Sequence, residues 1–226
     1  MGGDGTPGLG LVIFDCDGVL VDSEPLSLAC LTEGLNRIGV DIDVETVRAR
    51  FAGTAMPSIM EHVARDYGVD APDGFVAAVK AETLRAFDEE LEAMPGVAAA
   101  VAALVLPCCV ASSSDPVRLR HSLGLTGLLP LFEGRIYSAT MVSRGKPAPD
   151  LFLHAAHAMG FAPERCLVIE DSVPGVIAAR AAGMRVAGFT GGGHWAHDRT
   201  GADLLAVGAM CVFRGYGELN EVIAAA

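Results

Sequence analysis

Acidic residues follow a short apolar run near the start of the chain. Asp15 and Asp17 lie two positions apart directly after Leu9–Phe14, and Gly18 comes next. Both carboxyl groups can therefore reach one small volume without a bulky neighbour. Two adjacent carboxylates repel each other, and a Mg²⁺ ion, which prefers oxygen ligands, would relieve that repulsion. The pair indicates a metal site, although Asp17-Gly18 between apolar runs is also typical of a hairpin turn.

A second acidic pair, Glu170 and Asp171, follows the apolar run Cys166–Ile169 and precedes a predicted helix at Pro174. In a parallel sheet both strands end at the same edge, so we expect all four carboxyl groups to lie close together. Such crowding is costly unless a cation is bound. The alternative is that Asp171 or Ser172 only caps the following helix.

Three consecutive serines, Ser112–Ser114, follow the apolar run Cys108–Ala111. Hydroxyl groups and backbone amides at the end of a strand and the start of a helix can bind phosphate oxygens. Polar turn residues are also common at such positions, so this segment has a purely structural interpretation as well.

A lysine, Lys146, lies between Gly145 and Pro147 just before a helix predicted to begin near Pro149. A cation beside a helix N-terminus is unfavourable to the helix dipole, and a phosphate surrounded by carboxylates would explain it. The alternative is an ordinary surface lysine.

The elements that must position these residues alternate regularly along the chain. The strand-like runs are Leu9–Phe14, Cys108–Ala111, Cys166–Ile169, Arg185–Phe189 and Cys211–Phe213, and the segments between them with helical spacing are Gly96–Leu104, Pro116–Leu123, Pro149–Met159 and Pro174–Ala182. This alternation predicts an α/β fold with a doubly wound parallel, Rossmann-like sheet. Ligands of such sheets bind beyond the carboxyl ends of the strands.

One stretch, from about Leu26 to Leu91, contains no strand-like run. It has the pattern of four amphipathic helices, near residues 26–38, 44–51, 57–67 and 73–91. We therefore predict a core formed by residues 1–22 and 94–226, and an inserted four-helix cap domain formed by residues 23–93. Residues that stop or start helices lie at both borders and could act as hinges.

The candidate residues occur in a recognisable order. Phe14–Ser23, Ser112, Lys146-Pro147 and Glu170-Asp171-Ser172 resemble the four ordered motifs of the haloacid dehalogenase superfamily. The resemblance covers almost the whole chain, and the helical insertion resembles the small helical cap of that family. The resemblance is closest to the branch that contains sugar-phosphate phosphatases, phosphoglycolate phosphatase and beta-phosphoglucomutase. Within that branch, the sequence most resembles bacterial 6-phosphogluconate-type phosphatases.

This resemblance implies a role for each motif residue. Asp15 would form an aspartyl phosphate, while Asp17 would protonate the leaving alcohol and then deprotonate water. Ser112 and Lys146 would bind the transferring phosphoryl group. Mg²⁺ would be held by Asp15, the Asp17 carbonyl and Asp171, with Glu170 assisting directly or through water.

The expected substrate is a small phosphorylated metabolite, such as a sugar phosphate, 6-phosphogluconate or phosphoglycolate. Cationic residues of the cap, including Arg48, Arg50 and Lys80, could meet its charge, although exposed cations on helices are usually solvated. The candidate substrate-binding residues are Gly18, Glu24, Ser113, Gly53, Thr54 and Arg50.

Several residues argue against other activities. By the same family resemblance, Asp17 argues against the dehalogenase and phosphonatase branches, which lack a carboxylic acid there. A beta-phosphoglucomutase would have a histidine where this chain has Ser27 and an arginine near Met56. A receiver-like module that stores phosphate without turnover needs only about half this length. The Gly-rich segment Thr190–His194 lacks nucleotide-binding spacing, and the histidine pair at 194 and 197 lacks a clear third metal ligand.

Composition excludes further functional classes and indicates the compartment of the protein. The chain has 226 residues and a net charge of −12, which argues against binding to nucleic acid. Its six cysteines have no CxxC spacing and indicate a reducing compartment. With no apolar stretch of membrane-spanning length and no signal-peptide pattern, we expect a cytoplasmic protein without a membrane partner. The oligomeric state stays open.

Overall fold

The computed structural model describes residues 8–51, 54, 56–195 and 200–226. The chain divides into two compact units, one formed by Met1–Asp22 with Ala93–Ala226 and the other by Ser23–Glu92. Ala93 belongs to the first unit, where it forms an antiparallel bridge with Val21. The function of the second unit as a cap stays a prediction.

In the described part of the chain, the first unit contains a six-stranded parallel sheet with the strand order β3-β2-β1-β4-β5-β6. The strands are β1 (Leu11–Phe14), β2 (Cys108–Ser112), β3 (Ile136–Ser138), β4 (Cys166–Glu170), β5 (Arg185–Phe189) and β6 (Val212–Phe213). Every residue of β1, β2 and β4 is buried, because helices cover both faces of the sheet. The predicted α/β fold with a doubly wound parallel sheet is confirmed.

The second unit is helical. Its helices are α1 (Glu24–Arg37), α2 (Val44–Phe51), α3 (Met56–Tyr67) and α4 (Phe75–Glu90), within three residues of the predicted ranges. They bury a core of their own that includes Leu35, Val47, Val63 and Val79. The helical periodicity of this stretch therefore predicted its local structure correctly.

The helices of the first unit are short, with four to ten residues each in its described part. They are α5 (Val97–Ala102), α6 (Pro116–Leu125), α7 (Leu129–Phe132), α8 (Asp150–Met159), α9 (Val173–Ala181), α10 (Ala202–Ala206) and α11 (Leu219–Ala225). Asp115 caps α6 by accepting hydrogen bonds from the backbone amides of Val117 and Arg118. None of the helices in the described ranges has the length and apolar character needed to cross a bilayer.

Four short elements were not predicted: β3, α7, α10 and α11. Each has three to seven residues, which is too short for a periodic pattern to appear. Strand β3 matters for the sheet because it pairs with β2 from Val110 to Ser112 and forms the edge on that side.

Replacing Phe132 by alanine should lower the free energy of unfolding by about 3–5 kcal/mol, since the ring is fully buried and packs edge-to-face on Phe14. Urea denaturation would measure the change. The control is Val105→Ala, because Val105 is 98% exposed and its truncation should alter stability by less than about 0.5 kcal/mol. Equal effects of the two substitutions would contradict the packing described.

Candidate active site

The register of the sheet brings the predicted acidic residues together. Strand β1 lies between β2 and β4, so that Phe14 is level with Val110 on one side and Ile169 on the other. Asp15 follows β1, and its backbone amide donates to the carbonyl of Ile169 at 3.0 Å. Asp15 and Glu170 consequently lie side by side at the carboxyl edge of the sheet.

Lys146 connects these two carboxylates. Its Nζ donates to Oδ1 of Asp15 at 2.8 Å and to Oε1 of Glu170 at 2.6 Å, and it lies 5.0 Å from the ring centre of Phe152. The side chain of Lys146 is only 5% exposed and that of Glu170 is fully buried. The alternative of a surface lysine is therefore wrong.

Burial and charge act in opposite directions on these groups. Burial raises the pKa of Asp15 well above its ordinary value; Lys146 opposes the rise, and the charges of Glu170 and Asp171 add to it. Burial alone would lower the pKa of Lys146, but the charges and hydrogen bonds of Asp15 and Glu170 outweigh it and raise that pKa. The lysine thus stays a cation that partly balances the buried acids.

Glu170 is also held from the side of α9. Its Oε2 accepts hydrogen bonds from the backbone amide of Ser172 at 2.7 Å and from the Ser172 hydroxyl at 3.0 Å. The same hydroxyl oxygen accepts from the amide of Gly175, so that Ser172 is the N-cap of α9. Because Ser172 caps α9, Asp171 is not needed as the cap of this helix.

Asp15, Glu170 and Asp171 form a buried group of carboxylates in the described ranges, and one oxygen of each lies within 4.8 Å of the others. A hard divalent cation prefers such oxygen ligands, so this donor set fits Mg²⁺. The Asp17 carboxylate is not a member of the group. A contribution of Asp17 through its carbonyl stays a prediction.

The side chain of Asp17 has other partners. Its Oδ2 accepts from the hydroxyl of Ser114 at 2.6 Å, and its Oδ1 accepts from Nη2 of Arg118 at 2.8 Å. The sequence had not predicted that Ser114 or Arg118 would form a hydrogen bond with Asp17. The helix start at Pro116 was a usable signal, because it places Arg118 in the first turn of α6, just after the serine run.

Hydrogen bonds hold the loop formed by Ser112–Ser114 in place. Ser112 ends β2 and is buried, whereas Ser113 is exposed. The Ser114 amide donates to the Ser112 hydroxyl at 3.2 Å, and the Ser138 hydroxyl donates to the Ser114 carbonyl at 2.8 Å. The unpredicted strand β3 thereby fixes the loop that holds Asp17.

Gly18 lies in a tight turn with φ of 76°, where its amide donates to the carbonyl of Val21 at 2.9 Å. A Cβ atom at this position would lie 1.9 Å from Oδ2 of Asp171. Glycine is required for the Asp171 carboxylate to approach the turn so closely. The Asp17-Gly18 turn signal was correct, but β1 and the chain after the turn do not form a hairpin within the sheet.

The other substrate-binding candidates belong to the second unit, and their roles stay predictions. Arg50 pairs with Asp66 and donates to the hydroxyl of Tyr67 at 2.9 Å. Thr54 donates its amide to the carbonyl of Phe51, and Glu24 is the first residue of α1. Gly53 lies outside the described residues.

Replacing glycine by alanine should have opposite effects on stability at two positions, Gly175 in α9 and Gly124 in α6. A Cβ at Gly175 would lie 1.7 Å from Oε1 of Glu170, whose position is fixed by Lys146 and Ser172. Gly175→Ala should therefore lower the free energy of unfolding by about 1–3 kcal/mol.

The matched control is Gly124→Ala in α6, where a Cβ meets nothing within 4 Å. Alanine should stabilise that helix by about 0.5–1 kcal/mol. Chemical denaturation of both variants would show whether each substitution lowers or raises the free energy of unfolding. Stabilisation by Gly175→Ala would contradict the described packing around Glu170.

Known proteins share both this sequence pattern and this structure. The chain is 36% identical over 184 residues to 6-phosphogluconate phosphatase of Escherichia coli K12, covering 81% of this chain and 83% of that protein. A haloacid dehalogenase-like protein of unknown function from Agrobacterium tumefaciens C58 superposes with a TM-score of 0.86 at 38% identity, covering 96% and 99% of the two chains. A haloacid dehalogenase family hydrolase from Deinococcus radiodurans R1, with bound phosphate and sodium, has a TM-score of 0.80 at 33% identity, with 96% of both chains covered.

These similarities agree with the predicted class of enzyme, a phosphoric monoester hydrolase, and disfavour a receiver-like module without turnover. Residues 9–183 match the family described as haloacid dehalogenase-like hydrolase, which spans all four motifs. The chain belongs to the haloacid dehalogenase-like hydrolase family.

Proposed function

We propose that this protein is a Mg²⁺-dependent phosphatase that hydrolyses a small phosphorylated sugar or sugar acid through an aspartyl phosphate on Asp15. The observation that carries the proposal is the buried Lys146 between Asp15 and Glu170, next to Asp171. A cation fixed against a candidate nucleophile is suited to a reaction whose transition state is rich in negative charge.

Asp15 has the position required of the nucleophile. Its carboxylate follows β1 at the carboxyl edge of the sheet, and the hydrogen bond from Lys146 to Oδ1 restricts its rotation. An Asp15 oxygen would attack phosphorus while the bond from phosphorus to the alcohol oxygen breaks. A water molecule would then attack the same phosphorus and release phosphate from Asp15, which restores the carboxylate.

Asp17 would move the proton in both steps. It would give a proton to the leaving alcohol and take one from the attacking water. Both of its oxygens accept hydrogen bonds, from Ser114 and Arg118, as an ionised carboxylate does. This arrangement suits the second step, in which Asp17 is the base.

The carboxylates of Asp15 and Asp171 would hold Mg²⁺, with Glu170 and the Asp17 carbonyl assisting. When bound, the ion supplies positive charge that neutralises the phosphoryl oxygens. Glu170 has a second task, since its oxygens accept from Lys146 and Ser172 and so place the lysine beside the nucleophile.

The proposed substrate class draws on the named relatives. The E. coli relative is a 6-phosphogluconate phosphatase, and the Deinococcus structure contains phosphate. We propose that Ser112 and Ser113 contact the phosphoryl group.

The first test is phosphate release from 6-phosphogluconate, hexose phosphates and phosphoglycolate, with Mg²⁺ and with chelator. We expect Mg²⁺-dependent release that Asp15→Asn abolishes and that Asp17→Asn lowers by about 10²–10⁴-fold. The control is Asp203→Asn, an exposed carboxylate on α10, which should retain full activity. Isomerisation of beta-glucose 1-phosphate without phosphate release would contradict the proposal and favour a mutase.

The second test concerns the bond between Arg118 and Asp17. Arg118→Met should lower kcat about 10–150-fold with little change in KM, because a charge-assisted hydrogen bond contributes roughly 1.5–3 kcal/mol and about 1.4 kcal/mol is tenfold in rate. The matched control is Arg120→Met on the same helix, which removes an exposed pair with Glu133. A raised KM with unchanged kcat would instead show that Arg118 contacts the substrate.

A further inference from the structure

A Gly-rich segment that follows β5 reaches the candidate active site. Its sequence, Thr190–Trp195, matches no nucleotide-binding spacing, and the proposed reaction assigns it no role. Two hydrogen bonds from its backbone amides fix its path: the Thr190 amide donates to the carbonyl of Phe213 at 2.9 Å, and the Gly193 amide donates to the side-chain Oδ1 of Asp22 at 2.9 Å. The segment is thereby attached to the loop that carries Asp15 and Asp17.

This attachment brings the imidazole of His194 to Asp171. The distance from His194 Nε2 to Oδ2 of Asp171 is 3.0 Å, and the two side chains are 11% and 7% exposed. The same oxygen lies 1.9 Å from the point that a Cβ of Gly18 would occupy, and the imidazole Cε1 lies 2.9 Å from that point. The absence of a side chain at Gly18 therefore makes room for both groups.

The ring of His194 is also oriented by packing. It lies 5.7 Å from the ring of Trp195, centre to centre, and Trp195 packs against the buried core that the sheet forms with α8, α9 and α10. His194 is consequently held from both ends, by the Gly193 bond to Asp22 on one side and by Trp195 on the other. A side chain fixed in this way can restrict the rotation of a carboxylate that it contacts.

We infer that His194 is a positioning residue for the divalent-cation site, which it serves by holding the Asp171 carboxylate in place. The inference rests on the proposed function, in which Asp171 is a ligand of Mg²⁺. A carboxylate that is already oriented loses less conformational freedom when it binds a cation, so affinity rises. His194 itself need not touch the ion or the substrate.

The test measures Mg²⁺ affinity directly, on the full chain freed of metal by chelation. Trp195 is the chain's single tryptophan and is next to His194, so its fluorescence gives a titration signal, and calorimetry gives an independent one. His194→Ala should weaken Mg²⁺ binding by about 10–100-fold. His194→Gln should restore most of the affinity, because its amide nitrogen can take the position of the imidazole Nε2.

His157→Ala is the matched control, since it removes an exposed histidine from α8 and should leave Mg²⁺ affinity unchanged. Unaltered affinity in His194→Ala would overturn the inference, as would tighter binding, which would mean that His194 competes with the cation. A raised KM for the phosphate ester with unaltered Mg²⁺ affinity would also overturn it and assign His194 to the substrate. If the wild type releases phosphate but binds no Mg²⁺, both the inference and the proposed metal dependence fail.

Discussion

The candidate active site depends on the ion pairs that Lys146 makes with Asp15 and Glu170. All three groups are buried, and removing charges from water costs several kcal/mol for each ion unless partners replace the lost solvent. The lysine supplies that compensation, but one cation cannot balance three nearby carboxylates. The excess negative charge around Asp171 explains in physical terms why this site is suited to a divalent cation.

The surrounding backbone leaves these groups little freedom. Gly18 and Gly175 lie where any Cβ would collide with Asp171 or Glu170, and Ser172 combines the cap of α9 with a hydrogen bond to Glu170. A carboxylate that cannot rotate needs less reorganisation when charge develops near it. The close packing would therefore serve the proposed chemistry as well as stability.

The topology of the sheet explains where the candidate active site lies. The strand order β3-β2-β1-β4-β5-β6 reverses direction at β1, since the chain first builds one side of the sheet and then crosses to the other side of β1. Loops that leave neighbouring strands at such a point diverge and open a crevice at the carboxyl edge. Asp15 lies at that point, and the loops after β2, β4 and β5 contribute Ser114, Asp171 and His194.

The sequence by itself determined the class of fold and indicated most of the charged residues that the structure brings together at the candidate site, because buried parallel strands and polar residues at their ends give local signals. Asp15, Lys146, Glu170 and Asp171 could be named in advance for that reason. The short elements β3 and α7 could not, since a few residues carry no period. Only the tertiary structure decided which partner each group takes: Arg118 and His194 reach Asp17 and Asp171 across 101 and 23 positions of the chain, respectively. Such contacts follow from the register of strands and the path of loops, which depend on packing over the whole unit and not on neighbouring residues in sequence.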